Sequence, residues 1–490
     1  MEILVVVLYC LALLLIFLFS LGQLNLTRHY LKKKKQDKFV SALEPTTDED
    51  LPVVTVQLPV YNELYVIERL IDASASFDYP NDKLEIQVLD DSTDETVECI
   101  ARRVAFWQNK GVDVKHVRRS DRVGFKAGAL KYGLEIARGE FAAIFDADFI
   151  PNKDFLRKTV PYFKDESIGV VQTRWGHLNK DYSMLTKLQA FGLDAHFSVE
   201  QSGRSQAGSF INFNGTAGIW RKRCIDEAGG WSADTLTEDL DLSYRAQLKG
   251  WKFKFLEEVE APAELPILMP AIKSQQYRWN KGAAETARKN LGKVLRSKIG
   301  LESKVHAVFH LFNSSIFVCL LLAALLSIPM LFIKYNNPGY KALFDLGSIF
   351  LLGFFSIGFF YWIAAKRMVP QKTGKYYFRI FPIFLTVSMG LSLHNALAVI
   401  EGLLGFKTPF IRTPKFNIKS ADESWKGNIY VRNNITWLTI IEGFLCVYFI
   451  FGIAAGIYLH DFGLIIFHIM LAAGFAGVFY HSVKPAAYAS

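Results

Sequence analysis

Phe141-Ala142-Ala143-Ile144-Phe145-Asp146-Ala147-Asp148 is five apolar residues followed by two carboxylates one residue apart. A short apolar run that ends on polar residues reads as a buried strand. Upstream, Val53–Leu58 closes on Pro59, and Ile86–Leu89 closes on Asp90 in the same way. Helical stretches, Leu64–Ala75 and Asp94–Asn109, lie between the strands. Strands alternating with helices predict an α/β fold with a parallel, doubly wound sheet. Ligands bind such sheets at the carboxyl ends of the strands. No GxGxxG comes after the first strand, and no GxxxxGK[ST] occurs. A dinucleotide site and a P-loop ATPase therefore lack motif support.

The rest of the 490 residues is of a different kind. Hydrophobic residues make up 51%, yet 21% are charged, which fits a water-soluble domain joined to membrane segments. Ile3–Gly22 is almost unbroken apolar and is followed by Arg28 and Lys32–Lys35. Twenty residues at ~1.5 Å each span a hydrocarbon core. The charge comes after the apolar run, and Ser20-Leu21-Gly22 is a poor cleavage site, so an uncleaved anchor is expected rather than a signal peptide. The basic flank places the downstream domain in the cytoplasm. The net charge of +9 is accordingly assigned to an anionic membrane face and not to nucleic acid. Further crossings are expected at Asn313–Ile333, Asp345–Ala365, Thr436–Leu459 and Phe462–Tyr480. Phe378–Gly405 is apolar but carries Arg379, Pro382, His394, Asn395 and Glu401, between basic stretches at Lys366–Lys375 and Arg412–Arg432. Both basic stretches stay inside only if this segment does not cross, so it is expected as an interfacial helix or a re-entrant segment. The predicted organisation is an anchor over 1–38, a cytoplasmic domain over 39–305 and a membrane region over 306–490. The five Cys are scattered with no CxxC, so neither a zinc site nor a disulfide framework is expected.

Acidic strand ends carry the chemistry. Asp90-Asp91 is a buried carboxylate pair that must meet a cation or donors. Asp146-Ala147-Asp148 puts two carboxylates on one face of an extended chain, as Mg²⁺ or Mn²⁺ requires. Thr237-Glu238-Asp239 offers a general base. Gln275-Gln276-Tyr277-Arg278-Trp279 pairs an apolar face for a sugar ring with a guanidinium for phosphate. Gly124-Phe125-Lys126-Ala127-Gly128 sets a cation among small residues. Leu58–Glu63 alone is only a strand end.

As an ordered set these motifs resemble the membrane-embedded family 2 glycosyltransferases, which include cellulose, chitin and hyaluronan synthases. The chain is most similar to the plant cellulose synthase-like A and C proteins, which make mannan and glucan backbones. The similar stretches are Gln87–Thr93, Gly124–Leu130, Ala143–Phe149, His196–Gln201, Phe213–Arg221, Glu238–Leu242 and Gln275–Trp279. The resemblance implies a glycosyltransferase A type, nucleotide-sugar-binding domain. It implies that Tyr61, Glu63, Asp91 and Lys126 hold the nucleotide. Asp146 and Asp148 would hold the diphosphate through Mg²⁺ or Mn²⁺, with Asp148 the direct ligand. Asp239 would be the general base and Glu238 would position the acceptor. Gln275 and Arg278 would contact diphosphate, Trp279 would stack on the acceptor sugar, and Asn214, Gly215 and Thr216 would line the acceptor terminus. Phe410–Lys415 is similar to the gating loop of cellulose synthase, with Arg412 where that pattern has Val. His196, Glu200 and Gln201 recur in the plant proteins without an assigned chemistry.

The implied function is inverting, processive transfer of a hexose from a UDP-glucose or GDP-mannose type donor to a growing β-linked polysaccharide. The alternative is a single transfer to a lipid at the membrane face. The expected partners are the nucleotide sugar, a glycan or lipid acceptor and the bilayer. The motifs name no protein partner.

Overall fold

The computed structural model describes residues 2–36, 47–340, 347–408, 412–418 and 435–484. The expected domain boundary at 38/39, the start of Asp345–Ala365, Phe410, Ile411 and the basic stretch from Lys419 to Arg432 lie outside the described residues.

Seven strands form one sheet: β1 Val54–Val60, β2 Leu84–Asp90, β3 Val114–Val117, β4 Phe141–Ile144, β5 Ile168–His177, β6 Gly218–Arg221 and β7 Lys252–Ala263. Their order is β3-β2-β1-β4-β6-β5-β7. The four strands β3, β2, β1 and β4 pair in parallel, as the alternating pattern predicted. Pro59 sits inside β1, where it pairs with Leu89 of β2. Its missing N–H faces β4, whose pairing with β1 ends at Gln57, so no ladder bond is lost. The sheet departs from the all-parallel expectation at β6, which is antiparallel to both β4 and β5. The physical reason lies in the turn before it. Gly218 starts β6 opposite Ile144, the last residue of β4, so the chain enters at the carboxyl end and can only run backwards.

The helices that matter here are α1 Glu2–Gln36, α2 Phe125–Glu135, α3 Glu238–Leu248, α4 Met269–Arg296, α5 Ile316–Asn336, α6 Leu351–Met368, α7 Thr373–Gly390, α8 Ser392–Leu404, α9 Trp437–Tyr458 and α10 Ile465–Val483. Four helical stretches among the described residues are long and apolar enough to cross a membrane: Glu2–Lys32, Asn313–Asn336, Trp437–Tyr458 and Ile465–Val483. The crossing expected at Asp345–Ala365 is not one of them. Its helix, α6, runs on through Lys366 and Arg367, and Arg367 pairs with Glu257 (2.7 Å) and Glu258 (2.6 Å) of β7.

The segment expected over 378–405 as an interfacial helix or a re-entrant segment consists of two helices, α7 and α8, bent by 52°. Gly390 explains the first part. A Cβ there would lie 2.2 Å from the Gly474 carbonyl of α10, so α7 crosses α10 backbone against backbone. α8 turns onto α4. His394 Nε2 lies 3.0 Å from the Lys273 carbonyl, and Asn395 donates to Gln276 at 2.8 Å. Glu401 accepts from Tyr277 and, at 3.2 Å, from Lys281. His394, Asn395 and Glu401, three of the polar residues that set this segment apart in the sequence, find partners on α4.

Lys273 of α4 also pairs with Glu442 of α9 at 2.6 Å, and both side chains are buried. Glu442→Ala should destabilise the detergent-solubilised protein by about 3–5 kcal/mol, because it strands a buried ammonium. The double variant Lys273→Met, Glu442→Leu should be close to neutral. Thermal unfolding checks both, and a Glu442→Ala variant that melts like the parent would mean the pair is not buried.

Candidate active site

The carboxyl ends of β1, β2 and β4 open on one cleft. Tyr61 and Glu63 come after β1, Asp91 after β2, and Asp146 and Asp148 after β4. Lys126 comes from the first turn of α2, and Asn214 and Gly215 from the turn before β6. Glu238 and Asp239 open α3, and α4 brings Gln275, Arg278 and Trp279. All thirteen line this cleft, with Arg122, Trp175, Arg412, Thr413 and Lys415.

Oppositely charged groups meet at short range. Lys126 Nζ is 2.6 Å from Asp146 and donates to the Gly215 carbonyl at 2.8 Å. Gly215 has φ +78°, and a Cβ there would approach Asp239 Oδ2 to 3.1 Å, so this turn needs glycine twice over. Lys415 is 2.7 Å from Asp148, and Arg412 is 3.2 Å from Glu63. Arg278 donates to Thr413 at 2.8 Å. Segment 412–418 is held by Glu264, which accepts the Phe416 and Asn417 backbone N–H groups at 2.8 and 3.0 Å.

Burial sets the proton affinities. It pushes Asp239 up to about 7, with the neighbouring Glu238 charge adding to the effect. Burial likewise raises Glu238, against the pull of Lys126. Glu63 rises to about 7 through burial, although Arg412 and Lys415 oppose it. Burial also works against the Lys126 charge, but Asp146, Glu238 and Asp239 outweigh it and hold the ammonium more firmly protonated. Two acids with carboxyl groups near neutrality suit proton transfer at working pH.

One residue is placed differently from the sequence expectation. Thr216 is fully buried behind the wall, and its hydroxyl accepts the Asp146 N–H at 2.9 Å. Its place is under Asp146, because the backbone turns on either side of it, at Gly215 with φ +78° and Ala217 with φ +54°.

Other functional residues escaped the motifs. Arg119 clamps Asp91 with two bonds of 2.7 and 2.6 Å, while His116 meets the buried Asp90 at 2.8 Å. The Asp-Asp pair thus divides into one structural and one cleft carboxylate. The signal was the basic run Lys115-His116-Val117-Arg118-Arg119, the counter-charge the pair required. Arg122 stacks over the Tyr61 ring at 3.3 Å. Trp175 sits 6.3 Å from Trp279, giving the cleft a second aromatic wall.

Asp146 and Asp148 supply hard oxygen donors, as a divalent cation requires. No group of three or more His, Cys, Asp or Glu is poised to hold a metal among the described residues. The donor set therefore fits Mg²⁺ or Mn²⁺ only with the remaining ligands drawn from diphosphate and water.

Residues 52–282 match the family described as glycosyltransferase like family 2. Glucomannan 4-beta-mannosyltransferase 1 of Oryza sativa subsp. japonica is 40% identical over 417 residues, which cover 79% of this chain and 76% of that protein. The chain belongs to the family 2 glycosyltransferases. A second relative, glucomannan 4-beta-mannosyltransferase 9 of Arabidopsis thaliana, is 41% identical over 392 residues, or 76% of this chain and 70% of its own. Among solved structures, the mannosyltransferase PcManGT from Pyrobaculum calidifontis, in complex with GDP-Man and Mn²⁺, superposes with a TM-score of 0.54. It covers 80% of this glycosyltransferase and all of its own chain at 20% identity, a likeness of fold.

Thr216→Val removes the hydroxyl under Asp146 at constant shape. It should cost about 1–3 kcal/mol of stability by leaving a buried N–H unpaired. Donor affinity should fall while the KM for acceptor stays at the parent value. A raised acceptor KM with unchanged donor affinity would return Thr216 to the acceptor side.

Proposed function

We propose that this chain is a membrane-embedded, inverting mannosyltransferase that moves mannose from GDP-mannose to a growing β-linked polysaccharide. The catalytic domain would face the cytoplasm, a reading that the basic flank of α1 supports. The named activity of the relatives supports mannose. The observation that carries a polymeric acceptor is a second cavity that shares lining residues with the first. Gln275 and Trp279 line both, and the second runs between α4 and the membrane helices at Phe317, Phe384 and Ser388. A retained chain needs such a continuation behind the reacting end, and aromatic and amide side chains suit its sugar rings.

In this reading Tyr61, Glu63, Asp91 and Lys126 hold the nucleotide and diphosphate side, with Arg122 and Arg119 fixing Tyr61 and Asp91. Gln275 and Arg278 meet the diphosphate. Asp146 and Asp148 hold Mg²⁺ or Mn²⁺, which when bound supplies charge neutralisation on the leaving diphosphate. Asn214 and Gly215 border the acceptor end, and Trp279 gives its ring a flat face. Asp239, in ionised form, takes the proton of the acceptor hydroxyl as that oxygen attacks the anomeric carbon. Glu238 beside it positions the hydroxyl and raises the affinity of Asp239 for the proton. A single in-line displacement turns an α-linked donor into a β-linkage.

Asp239→Asn should lower turnover by ~10²–10⁴ while donor affinity, read by calorimetry, stays near that of the parent. In the parent, turnover should climb as pH rises through about 7, where Asp239 loses its proton. Wild-type turnover in the Asn variant, or a rate indifferent to pH across 6–8, would remove Asp239 as the base.

A further inference from the structure

The segment His196–Gln201 stands out in the sequence, and the transfer mechanism leaves it without a task. Residues His196–Glu200 form one π-helical turn between two α-helical stretches, closed by Gln201 N–H on the His196 carbonyl. Such turns insert a residue without ending the helix and often mark functional positions. The turn keeps His196, Glu200 and Arg204 in one row while Phe197 and Val199 enter the core. Glu200 meets His196 Nδ1 at 2.8 Å and pairs with Arg204 through its other oxygen. Glu200 and Arg204 are both buried. Burial opposes the Glu200 charge, but Arg204 and His196 outweigh it and hold the carboxyl well below its ordinary range.

A structural salt bridge needs only Arg204 and Glu200. The imidazole is a third member, and it keeps 28% of its side chain exposed. It lines the second cavity, beside Trp279 and Gln276. With Nδ1 fixed by Glu200, the ring presents its Nε2 edge, 3.5 Å from Asn214 Oδ1. Asn214 borders the first cleft, and its Nδ2 is buried without a hydrogen-bond partner. His196 thus lines the second cavity together with Trp279 and reaches Asn214 on the wall of the first.

We propose that His196, oriented by Glu200, hydrogen-bonds the sugar unit behind the acceptor terminus and fixes its register on Trp279, which makes it a specificity-determining binding residue for oligosaccharide acceptors. The inference rests on the reading of the acceptor as a polysaccharide. A monosaccharide acceptor does not reach His196, whereas a trisaccharide must pass it.

The test uses the full chain in detergent with GDP-mannose, Mn²⁺ and either mannose or mannotriose as acceptor. His196→Ala should raise the KM for mannotriose roughly tenfold, as loss of one hydrogen bond to a polar or charged partner gives. The KM for mannose and the calorimetric affinity for GDP should stay put, and products should shorten. His196→Gln, which restores a donor and an acceptor, should recover part of the mannotriose effect, and Glu200→Gln should reproduce it in part. Unchanged mannotriose KM in His196→Ala would overturn the inference. So would a parallel loss of GDP affinity in both His196 variants, because that marks a structural role. A parent protein that ignores mannotriose while loading mannose onto lipid would overturn the polysaccharide reading itself, before any variant is made.

Discussion

Everything in this enzyme hangs on α4, one amphipathic helix that has to satisfy three surroundings at once. Toward the membrane region it offers Lys273 to Glu442, Gln276 to Asn395, and Tyr277 and Lys281 to Glu401. Toward the cleft it presents Gln275, Arg278 and Trp279. Further along, Glu285 accepts the Leu236 N–H at 2.8 Å, and Lys289 and Asn290 hold the buried Asp241 of α3 at 2.9 and 2.8 Å. Close approach completes the clamp: a Cβ on Gly282 would lie 2.7 Å from the Thr237 N. The start of α3, and with it Asp239, is thereby set against the helix that carries Trp279. A shift of α4 would move Trp279 and Asp239 together.

The cleft is also a balance of charges that only a ligand completes. Glu63, Asp91, Asp146, Asp148, Glu238 and Asp239 face Arg122, Lys126, Arg278, Arg412 and Lys415. Burial raises Asp239, beside the turn at Gly215, and Glu63, after β1, with the neighbouring charges modifying the effect. Lys415 on Asp148 and Lys126 on Asp146 occupy carboxylates that suit a cation, so a diphosphate with its metal would exchange these contacts and not merely add to them. Segment 412–418 stays attached meanwhile through Glu264, which also pairs with Arg69 at 2.8 Å.

How much of this could be read from the residues alone depends on the range of each interaction. The ends of β2 and β4 were readable because a buried strand that runs into Asp is a local pattern, and the end of β1, which closes on Pro59, meets them in the same cleft. The reversal of β6 was not readable, because it depends on where Gly218 lands relative to Ile144. Thr216 faces Asp146 because the chain turns at Gly215 and Ala217, which the residue pattern does not show. Arg119 and Asp91 are 28 residues apart, and only the fold brings them into a bidentate pair. The contacts of the bent pair α7–α8 were out of reach for a related reason. His394, Asn395 and Glu401 look costly in lipid, but their partners on α4 lie more than a hundred residues upstream.

Transfer of mannose to a polymer is tested most directly on the product. The purified chain would be reconstituted in vesicles and given radiolabelled GDP-mannose with Mn²⁺. The radioactivity would then be separated into solvent-extractable lipid and insoluble polymer and tested with a β-mannan-specific hydrolase. A polysaccharide-forming mannosyltransferase puts the label in a high-molecular-weight, hydrolase-sensitive polymer. Label confined to the lipid fraction, or no incorporation from GDP-mannose while UDP-glucose is consumed, would contradict it.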